Sequence, residues 1–234
     1  MASIRVIDYE TTGTDEDAEA EIIEAGSYDL VHNEGGPWRV ARPVHWLVKP
    51  RLPIPPVARA VHHISDADVA DGPALREVID DFLDGADVCA AHNARFEQHF
   101  TPHKNLRWVC TYKCALVVWP DAPGHGNQAL RYWLGLDDGG DFDAVRSMPS
   151  HRALPDAYVT AHLLRRLLAE RSVDELLTIS RYPALLRKIN FGKHKGTAFA
   201  DAPADYLEWI RDKSDMNEDT KFTAKYWLQK RAKA

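Results

Sequence analysis

Apolar residues recur along this chain in two rhythms, and the switches between them outline alternating strands and helices. Residues 3–9 form a short, mostly apolar run of the length expected for a buried strand. Ile22–Val31 and Trp38–Val48 read as two further strands, joined by a turn containing Asn33-Glu34-Gly35-Gly36-Pro37. Pro50, Pro53, Pro55 and Pro56 interrupt any regular element, leaving room for a short helix around Val57–Val61. From Ala74 to Leu83 the apolar positions are Leu75, Val78, Ile79, Phe82 and Leu83, which is helical spacing. A buried strand over Asp87–Ala91 follows, then a helix opening at Arg95, a strand over Leu106–Cys110, and helices over Tyr112–Val118 and Gln128–Leu134.

Gly135–Pro149 reads as a mobile Gly/Asp-rich loop. A helix then runs from about Ala153 to Glu170, with Pro155 in its first turn and Val159, Leu163, Leu164, Leu167 and Leu168 on its buried stripe. Strands first, then helices alternating with strands, imply an α/β or α+β domain with a mixed sheet. After about Leu177 the character changes. A basic, glycine-flanked turn (Phe191-Gly192-Lys193-His194-Lys195-Gly196) precedes two short amphipathic helices near Pro203–Lys213 and Glu218–Lys230. The expected division is a main domain over 1–178 and a small basic module over 179–234 that packs on the main domain or on a partner.

Composition narrows the class. With 234 residues and 45% apolar content, a sizeable core is available. No window approaches the ~18 uninterrupted apolar residues of a membrane helix, and no long apolar stretch at the start suggests a secretory signal. The three cysteines, Cys89, Cys110 and Cys114, are irregularly spaced in apolar contexts. They argue against a disulfide framework or zinc cluster and for a reducing compartment, by default the cytoplasm. The net charge of −6 is uneven. Residues 179–234 carry 12 basic and 7 acidic side chains, a balance of +5, against 17 and 28 elsewhere, a balance of −11. A basic tail on an acidic body suits an anionic polymer, although charge alone does not establish one.

The first strand ends in Asp8-Tyr9-Glu10-Thr11-Thr12-Gly13. Residues i and i+2 of a strand share a face, so Asp8 and Glu10 project side by side, and their repulsion invites a cation. Two further segments carry acids: His92-Asn93-Ala94-Arg95-Phe96-Glu97, and His151-Arg152-Ala153-Leu154-Pro155-Asp156-Ala157. Each acid taken singly has an ordinary reading, such as a surface carboxylate or a first-turn Asp favoured by the helix dipole.

The order of the three motifs resembles that of the DnaQ-like, DEDDh-type 3′→5′ exonucleases. Ala60-Val61-His62-His63-Ile64-Ser65 looks like the segment after the third strand in that family, and the tail is similar to the C-terminal region of one of its branches. The resemblance implies a ribonuclease H-like (DnaQ-like) mixed central sheet flanked by helices, plus a small C-terminal module. It also implies that Asp8, Glu10, Glu97 and Asp156 hold two Mg²⁺ ions, with Mn²⁺ able to substitute, and that His151 is the general base. The implied substrate is DNA, most of all a single-stranded 3′ end, with RNA possible and no membrane partner. The implied products are 5′-mononucleotides.

The family's second acid is usually Asp, and Glu97 departs from that pattern by one methylene, about 1.5 Å of extra reach. A catalytically silent nucleic-acid binder is therefore the competing expectation. Thr11, Thr12 and Gly13 are implied to approach the terminal nucleotide, or else form a plain turn. His62 either contacts the sugar or base, or is packed. Asn93 is a further substrate candidate that also suits a backbone-orienting role. Phe96 lies against a base or in the core, and Arg95 is a candidate phosphate contact.

Overall fold

In a computed structural model, which describes residues 2–33, 36–102 and 105–233, the sheet grows from its first strand outward. β1 (Ala2–Thr11) pairs antiparallel with β2 (Ile22–His32), which pairs antiparallel with β3 (Arg39–Leu47). α1 (Pro56–His62) and α2 (Leu75–Leu83) follow, and the chain re-enters the sheet on the other side of β1 as the parallel strand β4 (Val88–Ala91). After α3 (Arg95–Phe100), β5 (Arg107–Cys110) completes a five-stranded mixed sheet of order β3-β2-β1-β4-β5. The Asn33–Pro37 turn expected between β2 and β3 includes Glu34 and Gly35, which lie outside the described residues.

The remaining elements are α4 (Thr111–Val118), α5 (Asn127–Trp133), α6 (Ala153–Leu168) and α7 (Val173–Arg181), then α8 (Ala204–Asp212) and α9 (Glu218–Ala232). Alternation along β1 assigns the two faces of the sheet. Ile4 and Val6 join Leu30, Val88, Ala90 and Val109 beneath α6, which contributes Val159, Leu163, Leu164 and Leu167, all buried. Ile7 and Tyr9 face the opposite layer with Ile79, Phe82 and Leu83 of α2. The expected α/β architecture, a ribonuclease H-like mixed sheet flanked by helices, is present.

Two local expectations change. The segment 135–149 is anchored at several points: Leu136 and Ser147 are buried, and the Phe142 ring packs against both Tyr158 and His162. The helix expected to reach Glu170 ends at Leu168, and a separate helix, α7, follows. Its start is fixed by a capping box: Ser172 Oγ accepts from the Glu175 N–H, and Glu175 Oε2 accepts from the Ser172 N–H at 2.9 Å. A boundary at 178/179 therefore falls inside α7, whose Leu176 is fully buried in the main core. The tail's own core begins further on, with Ile189, Phe199, Leu207, Ile210 and Ala224. Within it, the Ala184 and Leu186 N–H groups donate to Asp219 and Thr223 of α9, and it is tied to the body where Arg187 and Lys188 both reach Asp121 at 3.0 Å. Cys89, Cys110 and Cys114 are buried free thiols. No helix among the described residues is long and apolar enough to cross a membrane.

Candidate active site

Asp8 and Glu10 continue the α6-facing row of β1 beyond Ile4 and Val6, so a core-forming face becomes acidic at the strand's end. Asp156, in the first turn of α6, lies against them. Each of the three offers a carboxylate oxygen, and these atoms lie within 4.8 Å of one another. Glu97 of α3 is buried and lines the same cavity of about 450 Å³, together with His151, but stands outside the three-acid group. Its Oε2 is buried with no hydrogen-bond partner among the described residues.

The electrostatics follow from that crowding. Burial, then Asp156, Glu97 and Glu10, hold the Asp8 carboxyl well above the usual carboxylate range. Burial, then Asp156 and Glu24, push Glu10 up to about 8. Burial pushes Glu97 up to about 8, with Glu10 adding to the shift. Burial also raises Asp156, against the opposing pull of the His151 N–H and Gln128. Hard oxygen donors, mutual repulsion and an unpartnered buried oxygen fit a divalent cation that takes oxygen ligands.

What holds this crowd in place was not visible as a motif. Glu24 sits directly opposite Glu10 in the β1–β2 ladder and is almost fully buried. Arg152 donates to it through Nε at 3.0 Å and a terminal nitrogen at 2.7 Å, His45 Nε2 lies 2.7 Å away, and the Ala153 N–H donates at 2.9 Å. Burial alone would raise Glu24; the His45, Arg152 and Ala153 contacts outweigh it and bring the carboxyl down to about 2. A strand carboxylate thus caps the start of α6, where free N–H groups and the helix dipole favour negative charge. Two residues on, Gly26 lets that helix start press against β2: a Cβ there would lie 2.3 Å from the Ala153 and Leu154 backbone. Gly26 pairs with Asp8, so this close approach sets Asp156 over the acidic end of β1.

His151 precedes α6 in a left-handed backbone conformation (φ 59°), unusual for a non-glycine residue. Its N–H donates to Asp156 Oδ2 at 2.8 Å, and its side chain remains exposed at the cavity wall. Asn93 is also left-handed (φ 78°) and lines the cavity where β4 gives way to α3. The neighbouring His92 is fixed between Thr111 and the His125 carbonyl, and burial brings its imidazole down to about 4.

The other expected substrate residues divide. Thr11 and Thr12 are buried and tied into their own turn: Thr11 Oγ1 donates to the Gly13 carbonyl at 2.6 Å, and Thr12 Oγ1 accepts from the Glu21 N–H at 2.9 Å. The space a Cβ on Gly13 would need is taken by Asp17, with Oδ2 at 2.8 Å. His62 is packed, its Nδ1 accepting from the Ile64 N–H at 3.0 Å, and burial lowers its pKa. Phe96 is half-buried against Phe100 and lines the cavity, and exposed Arg95 lies 3.9 Å from Asp15. Two lining residues were not among the expected site residues: Val57 and Val61, one helical turn apart on α1, are 78% and 49% exposed at the cavity. Val61 falls within the family-like segment 60–65, whereas the signal for Val57 is its i, i+4 apolar pairing with Val61 in a short helix.

This fold and acid cluster define a class, and the chain belongs to it: the family model for exonucleases of the RNase T type matches residues 6–164. It is a member of the DnaQ-like 3′→5′ exonucleases, as the order of the three motifs implied. Among relatives, the chain is 33% identical to exodeoxyribonuclease 10 of Escherichia coli strain K12 over 97% of its own length and 99% of the relative's. A solved structure of exonuclease X in complex with 5′-overhanging duplex DNA matches with a TM-score of 0.64 and 32% identity, covering 76% of this chain and 99% of that one. The nuclease domain of 3′hExo, a DEDDh family member bound to rAMP, shares the fold at a TM-score of 0.58 and 16% identity, covering 72% and 92%.

Proposed function

We propose that this protein is a metal-dependent 3′→5′ exodeoxyribonuclease that shortens DNA from its 3′ end and releases 5′-mononucleotides. The observation that carries the reading is the meeting of Asp8, Glu10 and Asp156 within 4.8 Å, beside His151, in a chain related along nearly its whole length to an exodeoxyribonuclease. Asp8, Glu10 and Asp156 would hold two Mg²⁺ ions, or Mn²⁺ in their place, with Glu97 completing the acidic wall. Bound there, the ions supply positive charge that favours attack on the phosphorus and departure of the 3′-oxygen.

The chain's own residues do the rest. His151, fixed by its backbone bond to Asp156, takes the proton of the attacking water at an imidazole nitrogen. Asp156 Oδ2 accepts that N–H, Gln128 lies 3.4 Å from its Oδ1, and the carboxylate as a whole stands within 4.8 Å of Asp8 and Glu10. Val57, Val61 and Phe96 give one wall of the cavity an apolar surface suited to a terminal base, while Asn93 and the 11–13 turn face the sugar end. Glu24 and Gly26 are positioning residues acting through α6. The expected 1–178 region, extended through the end of α7, would be the exonuclease domain, and the rest of the basic 179–234 module an accessory to it. Buried free thiols fit a cytoplasmic protein.

The test is incubation of 5′-labelled single-stranded DNA, and in parallel RNA of the same sequence, with Mg²⁺ or Mn²⁺. A ladder shortening from the 3′ end of DNA, with 5′-mononucleotide as product, is expected. Tight binding without shortening under either metal would favour a silent binder, and faster RNA shortening would move the substrate to RNA.

A further inference from the structure

The tail places aromatic and basic side chains together away from the carboxylate cavity. On α8, Leu207 and Ile210 are fully buried in the small core. Tyr206, half-buried against that core, and Trp209 lie one turn apart, with rings stacked at 5.5 Å and an interplanar angle of 22°. Trp209 is 41% exposed, a large apolar ring that the tail's own core does not use. The His194 ring also meets Tyr206, at 4.4 Å, so three rings cluster beside the exposed Trp209.

The basic turn is built onto this row. Lys193 Nζ lies 5.6 Å from the Tyr206 ring centre, and Lys195 is exposed one step on. Gly192 is left-handed (φ 59°), and a Cβ there would sit 2.8 Å from the Tyr206 hydroxyl, so a glycine is what lets the turn lie against the ring. Asp205, Glu208 and Asp212 line the neighbouring row of α8, where Arg211 pairs with Asp212. The turn is also held against the body. Lys195 and Gly196 border a groove of about 250 Å³ with residues 120–125, and His125 in that segment bonds through its carbonyl to His92 at the carboxylate cavity's wall.

We propose that Tyr206, Trp209, Lys193 and Lys195 form a second nucleic-acid contact, which holds a single-stranded stretch of DNA upstream of the 3′ end being cleaved. A base stacks on the exposed face of Trp209, and the lysines of the turn meet the adjoining phosphates. Stacking platforms flanked by positive charge are the common means of gripping a strand without reading its sequence. The contact deepens the exonuclease reading and rests on it for the identity of the strand.

The test uses the full-length protein, a 20-nucleotide oligo-dT strand and a trinucleotide too short to span cavity and tail. Binding of the long strand is measured without divalent metal across a salt series, and hydrolysis of the trinucleotide is measured with Mg²⁺. Trp209→Ala is expected to weaken long-strand binding about 10-fold. K193Q/K195Q is expected to weaken it and to lower the salt slope by about 1.4, the share of two phosphate contacts on a single strand. Trinucleotide hydrolysis should stay within about twofold of wild type in both, and Trp209→Tyr should restore long-strand binding. Unchanged affinity and salt slope in both variants would overturn the proposal. Should Trp209→Ala fail to fold, the exposed lysine pair decides alone. Binding is read without turnover, so a wild-type protein that hydrolyses nothing would sink the exonuclease reading and still leave the tail contact measurable.

Discussion

Glu10 and Glu24 face each other across the same strand pair, and their fates are opposite. Glu24 is met by Arg152, His45 and the Ala153 N–H, and its carboxyl falls to about 2. Glu10 is buried among other acids, and burial first, then their charge, raises its carboxyl to about 8. A buried acid given donors becomes structure; a buried acid denied them becomes a place for a cation. The two are coupled, because Glu24 anchors the helix that delivers Asp156 to Glu10.

The strongest way to break the contrast is to remove charge from the crowded side. Asp156→Asn should lower DNA hydrolysis by at least about 1000-fold, in line with losses seen when one electrostatic element of a site is removed. The metal-free variant should melt no lower than wild type, since it loses repulsion rather than support. Near-normal turnover would remove Asp156 from the site.

Disarming the satisfied side should have a different signature. Glu24→Gln leaves Arg152 without its charged partner and should cost about 3 kcal/mol of stability, read by denaturant unfolding. Turnover should fall about 100-fold through displacement of Asp156 and His151, the cost of roughly 1 Å of misplacement. Gly26→Ala attacks the same anchor sterically and should cost about 1–3 kcal/mol. If either variant kept wild-type stability and rate, α6 would not depend on β2 for its position.

These two anchors mark the limit of what the sequence made legible. Asp8, Glu10, Glu97 and Asp156 sit in segments whose order is diagnostic, and their strands and helices follow from apolar spacing. Glu24 reads as one more residue in an apolar strand, and its role exists only once residues 24 and 152 meet across the fold. Gly26 looks like a weak point in a strand until α6 is laid on it. The start of α7 was written locally, as Ser172-Val173-Asp174-Glu175, yet the charge change near Leu177 drew the expected boundary into that helix. Composition shifts report surface chemistry, whereas a break between cores depends on which apolar residues find each other.

The pH dependence separates the two acids in a single protein. Glu10 and Glu97 have folded values of about 8, above their unfolded values. The folded state therefore binds the extra protons, and stability is lost as pH rises toward 8. Glu24 is depressed, so its contribution is present at neutral pH and lost only as pH falls toward 2. His92 and His162, both held near 4 by burial, also lose stability on acidification, so the test belongs above about pH 7, where they are neutral folded or unfolded. Metal-free protein should lose about 2 kcal/mol between pH 7 and 8. Saturating Mg²⁺ should flatten that fall, and a rise in stability over the same interval would contradict the repulsive cluster.

The smallest expected effect concerns Glu97, the acid in the cavity that stands outside the close group. Its Oε2 has no partner among the described residues, so the side chain is free to turn toward an ion without giving up a hydrogen bond. Glu97→Asp withdraws the carboxylate by about 1.5 Å but keeps its charge and its hard oxygens. Turnover should change by less than about tenfold, with a shift in the ratio of Mn²⁺- to Mg²⁺-supported rates, because Mg²⁺ demands the stricter geometry. Glu97→Gln keeps the length and loses the charge, and should cost at least about 100-fold. If the Gln variant were as active as the Asp variant, Glu97 would be filling the cavity wall without taking part in holding the metal.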